Sequence, residues 1–383
     1  MPHLIPQFYK RGLCVSLYFF VCLILIIMKS YFLREISQSA KHQQPTLHTS
    51  IADKIIKKNV ETEINSLQTS IAGRIIKENV ETENVETEIS TLRRNNFKDK
   101  ILQKSTIMLQ QTSHICARYA LRTRPIKRHF IYSAKHKSLY CWIHKVASTS
   151  FVKLFSDMNR QYFSRYLYRE VDALSPNSLE DLHRLASNNT VFKLLVVRHP
   201  FQRLVSSYRD RIEDSSRYTA QAWLYAREIF YLSRPQLFHF NTSSGNVLQR
   251  IFFPNRRLKL VPSFREFLVW LLNQPPDTDD NHWGQYYTHC AVCNVSYSFV
   301  LKLDDYDIEE VNYVLSKLRL NGDEVYLPKL HRTHNGVTDF NVTCKYFGSL
   351  TTDMVLRLHE RYKMDFEMYN YKIDDYLHCA RQK

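Results

Sequence analysis

The stretch Val191-Phe-Lys-Leu-Leu-Val-Val197 limits the fold more than any other part of the chain. It is a short run, apolar except at Lys193, of the kind found in strands covered on both faces. Such strands belong to parallel sheets packed between helices. It leads directly into Arg198-His199-Pro200-Phe201. Proline suits the first position of a helix, and Phe201, Leu204, Val205 and Tyr208 then mark one apolar stripe. The same design occurs upstream. The β-prone run Ser138-Leu-Tyr-Cys-Trp-Ile143 is followed by the turn His144-Lys145-Val146-Ala147-Ser148-Thr149-Ser150, and Phe151, Leu154, Phe155 and Met158 then recur at helical spacing. Two strand–turn–helix units predict an α/β domain, a parallel sheet flanked by helices. With 44% hydrophobic and 13% aromatic residues, the chain can bury such a core.

Only seven glycines occur in 383 residues, and none falls in either turn. That excludes a Rossmann G-x-G-x-x-G and a Walker G-x-x-x-x-G-K-[ST] loop, so a phosphate cradle here must be built from other residues. The first turn offers one. Ser148 or Thr149 is the expected N-cap, the free N–H groups of the first helical turn attract anions, and Lys145 adds a cation at the mouth. In the second unit Arg198 sits at the carboxyl end of the strand, where open α/β sheets bind ligands. Its planar fork suits a phosphate, and Ser206, two turns along the helix, offers a hydroxyl. The alternative is an arginine that closes a helix N-terminus through structural hydrogen bonds, which suits Arg203 better than Arg198.

The N-terminal part has another composition. Residues 12–28 form an uncharged apolar run between Lys10-Arg11 and Lys29. The run is near spanning length, longer than the apolar region of a cleaved signal peptide, and is followed by no small-x-small site. The expectation is a cytoplasmic tail (1–11), a signal anchor (12–28) and a stem (29–109). In the stem, a twenty-residue unit beginning at Thr49 recurs at Thr69. Ile51, Ile55, Ile56 and Val60 sit at helical spacing, so the repeat reads either as a weak coiled coil, through which copies could associate, or as a solvated stem. The sequons at Asn188, Asn241, Asn294 and Asn341 lean towards a lumenal, glycosylated body. So does an even set of six cysteines outside the anchor: Cys116, Cys141, Cys290, Cys293, Cys344 and Cys379. The topology is type II.

Of the sixteen surplus positive charges, residues 1–40 hold three (four basic, one acidic) and residues 41–104 hold two (eleven basic, nine acidic). The remaining eleven lie on the body and imply a polyanionic partner. A lumenal body does not meet nucleic acid, which leaves acidic glycans, lipid headgroups or a phosphate-rich cofactor. Arg122, Arg124, Lys127 and Arg128 form the densest basic cluster.

Lys145-Val-Ala-Ser-Thr and Arg198-x-Pro-Phe-x-Arg-Leu-x-Ser, in this order, resemble the 5′-phosphosulfate and 3′-phosphate motifs of Golgi carbohydrate sulfotransferases. The branch that sulfates chondroitin and dermatan is the most similar. Asp280-Asn-His282-Trp283, then Cys290-x-x-Cys293, then Tyr297-x-Phe299-Val300-x-Lys302 resemble its H-W…C-x-x-C…Y-D-F-V-x-K stretch. Tyr362-x-x-Asp365-Phe366-x-x-x-Asn370-Tyr371 resembles its closing motif. The resemblance covers about residues 110–380. It implies a nucleotide-kinase-like catalytic domain (110–383) in the Golgi lumen that moves a sulfuryl group from 3′-phosphoadenosine 5′-phosphosulfate to a sugar hydroxyl of an acidic glycan such as chondroitin. Lys145, Val146, Ala147, Ser148, Thr149 and Ser150 would hold the 5′-phosphosulfate, and Arg198 with Ser206 the 3′-phosphate. The chain departs from the family at His144 (usually Pro), Ser148 (often Cys), Ser150-Phe151 (Asn-Trp), Ser298 (Asp) and Asp304-Asp305 (Glu-Thr).

In-line transfer needs a cation at the leaving oxygen and a base at the acceptor. Lys145 fits the first role. His282 is the candidate for the second, because imidazole titrates near neutrality; a packed histidine beside Trp283 or an acceptor-binding residue are the other readings. One C-x-x-C without a second ligand pair argues for disulfide cysteines rather than zinc, and no metal is expected. The rival function is a glycan-binding membrane glycoprotein that has lost catalysis. A nucleotide-dependent kinase fits less well, for want of Walker glycines and an acidic metal site.

Overall fold

The computed structural model describes residues 57–58, 60–63, 65–66, 69–70, 96–159, 166–238, 246–304, 308–318, 320 and 336–380. The chain divides into two units, Met1–Thr91 and Leu92–Lys383. In the first, the described residues between 57 and 70 are helical and exposed, consistent with the helical spacing of the repeat. The apolar run 12–28, the rest of the repeat and Asn241 lie outside the described residues. No described helix is long and apolar enough to cross a membrane.

The second unit is built on a four-stranded sheet in the order β1 (Phe130–Ser133), β2 (Ser138–Cys141), β3 (Phe192–Val197) and β4 (Phe299–Lys302). The pairs β2–β3 and β3–β4 are parallel, as the apolar run at 191–197 predicts, whereas β1 and β2 form an antiparallel hairpin. The sheet is therefore mixed rather than wholly parallel. Phe130 pairs with Cys141 and Ser133 with Ser138, so the short turn between the strands leaves antiparallel pairing as the only arrangement, because a parallel neighbour needs a long crossover.

Helices cover the sheet. Residues 96–118 are helical (α1). The crossover from β2 to β3 carries α2 (Ser148–Met158), α3 (Leu167–Leu174) and α4 (Leu179–Ser187). α2 forms where Phe151, Leu154, Phe155 and Met158 predict a buried stripe, and Phe151 and Phe155 pack on Tyr140 of β2 with ring centroids 5.1 and 5.8 Å away. β3 leads into α5 (Pro200–Tyr208), with Pro200 in the first turn and His199 as N-cap. Farther on come α6 (Ala220–Ser233) and α7 (Phe264–Leu272). Because β2 and β3 are parallel neighbours, the turns that leave them open at the same edge of the sheet.

All six body cysteines are bridged, as Cys116–Cys293, Cys141–Cys290 and Cys344–Cys379. Cys290 and Cys293 thus bond to different partners rather than to each other. Cys290 ties the segment after Trp283 to the end of β2, and Cys293 ties it to α1. Among the described residues no group of side chains could hold a metal ion. Asn188, Asn294 and Asn341 are exposed.

Candidate active site

Between β2 and α2 the backbone takes φ values of 68° at Lys145 and 58° at Ala147. Glycine usually occupies this left-handed region, and holding another residue there costs on the order of 1–3 kcal/mol. A tight cradle without glycine is thus made at the cost of backbone strain. Ala147 is the N-cap of α2, and no side chain caps that helix. The expectation that Ser148 or Thr149 caps it is corrected: the left-handed kink starts the helix one residue earlier and puts both inside the first turn. Ser150 N already donates to Ala147 O at 3.0 Å, so with no side-chain cap an anion would meet the N–H groups ahead of it.

Lys145 projects towards α5. That helix continues into a π-helical turn, Arg209–Glu213, a distortion frequent at functional sites. It brings Asp210 Oδ2 to 3.2 Å from Lys145 Nζ. Arg211 Nε lies 3.1 Å from the same oxygen, and Arg217 contacts Oδ1. Burial draws the Lys145 ammonium below its ordinary pKa, with Asp210 opposing. Burial pushes the Asp210 carboxyl up, but Lys145, Arg211 and Arg217 outweigh it and hold the group below the usual range.

Arg198 joins the two turns. Its Nη1 donates to Lys145 O (3.2 Å) and its Nη2 to Thr338 O. Its backbone is fixed by Tyr286, whose hydroxyl donates to Arg198 O at 2.7 Å. Arg203 is the structural arginine. It donates to His144 O (3.1 Å), Gly284 O and Asn281 O (3.0 Å), clamping the Lys145 turn to the 280–284 segment. Ser206 is buried on α5, and no recorded hydrogen bond joins it to Arg198. Ser207 instead donates to His282 O at 2.6 Å. His199 accepts from Phe201 N and is buried, with its imidazole pulled down to about 3 by burial, which makes it a helix cap.

His282 is 2% exposed. Its Nδ1 lies 2.6 Å from Asp280 Oδ1, and its ring stacks on that of His144 at 3.8 Å and 18°. Burial pushes the Asp280 carboxyl up, but hydrogen bonds and charge from His282 outweigh this and keep it below the usual range. An ionised carboxylate can only accept, so Nδ1 carries the proton. The Gln221 amide nitrogen, 3.3 Å from Nδ1, donates to Asp280 Oδ2 instead. Nε2 is then the lone-pair nitrogen, and it is buried without a hydrogen-bond partner. Burial lowers the His282 pKa, with Asp280 opposing, so the ring is neutral at pH 7. A carboxylate that fixes the tautomer of a neutral imidazole with a free nitrogen is the arrangement of a general base.

The sequence profile of the sulfotransferase family matches residues 128–372, which takes in both turns and the Asp280–His282 pair. The chain belongs to the sulfotransferase family. Its curated relatives are carbohydrate sulfotransferases. Rat carbohydrate sulfotransferase 11 is 28% identical over 264 residues, covering 65% of this chain and 69% of the relative. Human carbohydrate sulfotransferase 8 is 25% identical over 298 residues (74% and 64%), and chicken carbohydrate sulfotransferase 10 is 26% identical over 265 residues (63% and 66%). No solved structure matches the chain.

The fold brings Lys145, Arg198 and His282 into one neighbourhood, and Ser206 is buried on α5. Sequence reasoning missed Asp280, Asp210, Arg211 and the clamp role of His144 O. Asp280 had a readable signal in its spacing of two from His282. Asp210 and Arg211 had none, because a regular helix would not place both adjacent residues on the site. The closing motif proves to be a support: Asp365 accepts from Tyr286 N (3.0 Å), and the Tyr362 hydroxyl donates to Trp283 O (2.8 Å).

Proposed function

We propose that this protein is a carbohydrate O-sulfotransferase that uses 3′-phosphoadenosine 5′-phosphosulfate as donor and an acidic glycan, of the glycosaminoglycan class that includes chondroitin, as acceptor. The observation that carries the reading is the Asp280–His282 pair, with its unpartnered Nε2, linked through the His144 stack to the strained Lys145 turn. A glycan-binding scaffold would have no use for an oriented, neutral imidazole.

The cradle fits the donor in its chemistry. The uncapped N-terminus of α2, with the N–H groups of Val146, Ala147, Ser148 and Thr149 and the Lys145 ammonium, suits a phosphosulfate, whereas Ser150 N already donates to Ala147 O at 3.0 Å. Arg198, assigned to the 3′-phosphate together with Ser206, already gives two arms to carbonyl oxygens; the phosphate would take the rest of the fork or displace Thr338. When bound, the donor supplies the activated sulfuryl group. His282 Nε2 takes the acceptor hydroxyl's proton, Asp280 steadies the imidazolium that forms, and Lys145 stabilises charge on the leaving oxygen. Lys145 would exchange Asp210 for the donor as its partner.

On the acceptor side, Tyr168 is 44% exposed, with its hydroxyl 3.4 Å from His144 Nε2 and Arg128 5.6 Å over its ring. An aromatic face under exposed Arg128, which also pairs with Asp172, suits an anionic sugar. The domain assignment proposed is tail 1–11, anchor 12–28, stem 29–109 and catalytic domain 110–383, in a type II Golgi membrane protein. Glycans would sit on Asn188, Asn241, Asn294 and Asn341, and association would run through the stem.

The test is incubation of the full chain with radiolabelled donor and a panel of desulfated glycosaminoglycans and neutral N-glycans. Label on an acidic polymer is expected. No transfer to any glycan, despite donor binding, would return the protein to the scaffold class.

A further inference from the structure

Neither the turn motifs nor the Asp280–His282 pair gives Arg211 a role, although it lies at the site. The π-helical turn places it beside Asp210, with Nε 3.1 Å from Oδ2, the oxygen that also faces Lys145 Nζ at 3.2 Å. Distance alone does not make a hydrogen bond: Nε is misaligned with that oxygen and stays buried without a partner. The side chain is 25% exposed. Arg217, also on Asp210, has a second carboxylate in Asp214 and is half exposed. A buried donor left unpaired is costly, and at a binding site it marks a partner still to come.

The position of Arg211 says which partner. In an in-line transfer the moving group lies between the acceptor oxygen and the leaving oxygen. His282 marks the first and Lys145 the second, and His144, the chain neighbour of Lys145, stacks on His282. The charge on Arg211 acts on both sides: it disfavours protonation of His144, His282 and Lys145.

We propose that Arg211 is a catalytic residue that binds the equatorial oxygens of the sulfuryl group during transfer. The step balances. The bond from sulfur to the bridging phosphate oxygen breaks, its electron pair stays on that oxygen beside Lys145, and a bond forms from sulfur to the acceptor oxygen, whose proton passes to His282 Nε2. Arg211 holds the oxygens that travel with sulfur. A guanidinium fork suits two of them at once. The proposal rests on the sulfotransferase reading above.

Its test separates the sulfuryl group from the rest of the donor. 3′-Phosphoadenosine 5′-phosphate carries both phosphates and no sulfuryl group. Calorimetry on the full chain with Arg211→Gln is expected to give affinity for this bisphosphate within threefold of the unchanged protein, while turnover at saturating substrates falls on the order of a hundredfold. Arg211→Lys should recover part of that loss, since it keeps charge without the fork. Turnover within threefold of the unchanged protein, or bisphosphate affinity falling as far as turnover, would overturn the assignment. If the Gln variant does not fold, the Lys variant is read alone: tenfold or greater loss of turnover with intact bisphosphate binding supports the role, and unchanged turnover removes it. Failure of the unchanged protein to bind bisphosphate sinks the donor reading itself, which is a different result from failure in the variants alone.

Discussion

Asp280 Oδ1 lies 2.6 Å from His282 Nδ1, and this contact decides which imidazole nitrogen is free to act. It holds the proton on Nδ1 and leaves the lone pair on Nε2, which has no other partner. It also raises the basicity of a ring that burial depresses. For the base role proposed for His282 the two effects would act together, because burial keeps the ring neutral and the carboxylate would stabilise the cation it becomes.

Asp280→Asn therefore removes the charge but keeps the shape. Turnover is expected to fall on the order of a hundredfold or more, the usual weight of general-base catalysis. In the unchanged enzyme the acid limb of turnover should lie below pH 6.5, because burial lowers the His282 pKa. In the Asn variant that limb should move to still lower pH, since a group that raises the pKa has gone. A pH–rate profile with its acid limb unmoved would show that Asp280 does not act through His282.

Lys145 tests the donor side. It sits in a left-handed turn beside Asp210, so Arg at this position keeps charge but not the compact reach of an ammonium. Lys145→Arg is expected to retain donor binding and lose turnover, and Lys145→Ala to lose roughly a hundredfold in turnover. Single-turnover rates with saturating donor give the answer. Near-normal rates in Lys145→Ala would make this residue a replaceable strand terminus.

Burial lowers the pKa of Arg198. If it grips the 3′-phosphate, Arg198→Ala should weaken binding of 3′-phosphoadenosine 5′-phosphate far more than that of adenosine 5′-phosphosulfate. Equal losses for both ligands would mean that its bonds to Lys145 O and Thr338 O are its whole role.

Much of this architecture was legible because burial leaves a pattern. The apolar run at 191–197 and the stripes after both turns specify β3, α2 and α5, and Pro200 marks the start of α5. The antiparallel β1 was not legible. It is four residues long, and its membership depends on a hairpin register that short strands do not announce. The cysteine partners were hidden for a similar reason: Cys290 and Cys293 are three apart in sequence but bond to β2 and α1. At the site, residues within motifs could be read, whereas Asp210 and Arg211 depend on a π-helical turn that has no sequence signature here. His144, where the family usually has proline, takes on a part that proline cannot play: it stacks on His282.

The Cys141–Cys290 bridge links the end of β2, just before the Lys145 turn, to the segment after His282. Replacing both cysteines with serine is expected to cost about 2–5 kcal/mol of stability. The same change should lower turnover more than donor affinity, because it loosens the base relative to the cradle and leaves the cradle whole. Denaturant unfolding and donor calorimetry on one preparation separate the two effects, and loss of donor affinity in step with turnover would argue against it.

Acid should destabilise this fold, and the sign follows from its histidines. His129 and His289 stack at 3.7 Å and 7°, His144 and His282 stack likewise, and burial lowers the pKa of all four and of His199. An unfolded chain takes up these protons near pH 6.5 while the folded one resists. The stability they contribute is therefore complete above pH 6.5 and is lost as pH falls from there towards the folded values. Each such group adds a slope of up to about 1.4 kcal/mol per pH unit in that window. Asp365 and Asp279, which burial raises to about 7 and about 6, act the other way, since the folded state holds their protons more tightly. Burial lowers His359 as well and raises Asp304, so six groups against three leave a net loss on acidification. Urea midpoints should fall between pH 6.5 and pH 5, and replacing His129 and His289 together by Asn or Gln should flatten that fall; a midpoint that rises over this range would show that the buried carboxyls dominate.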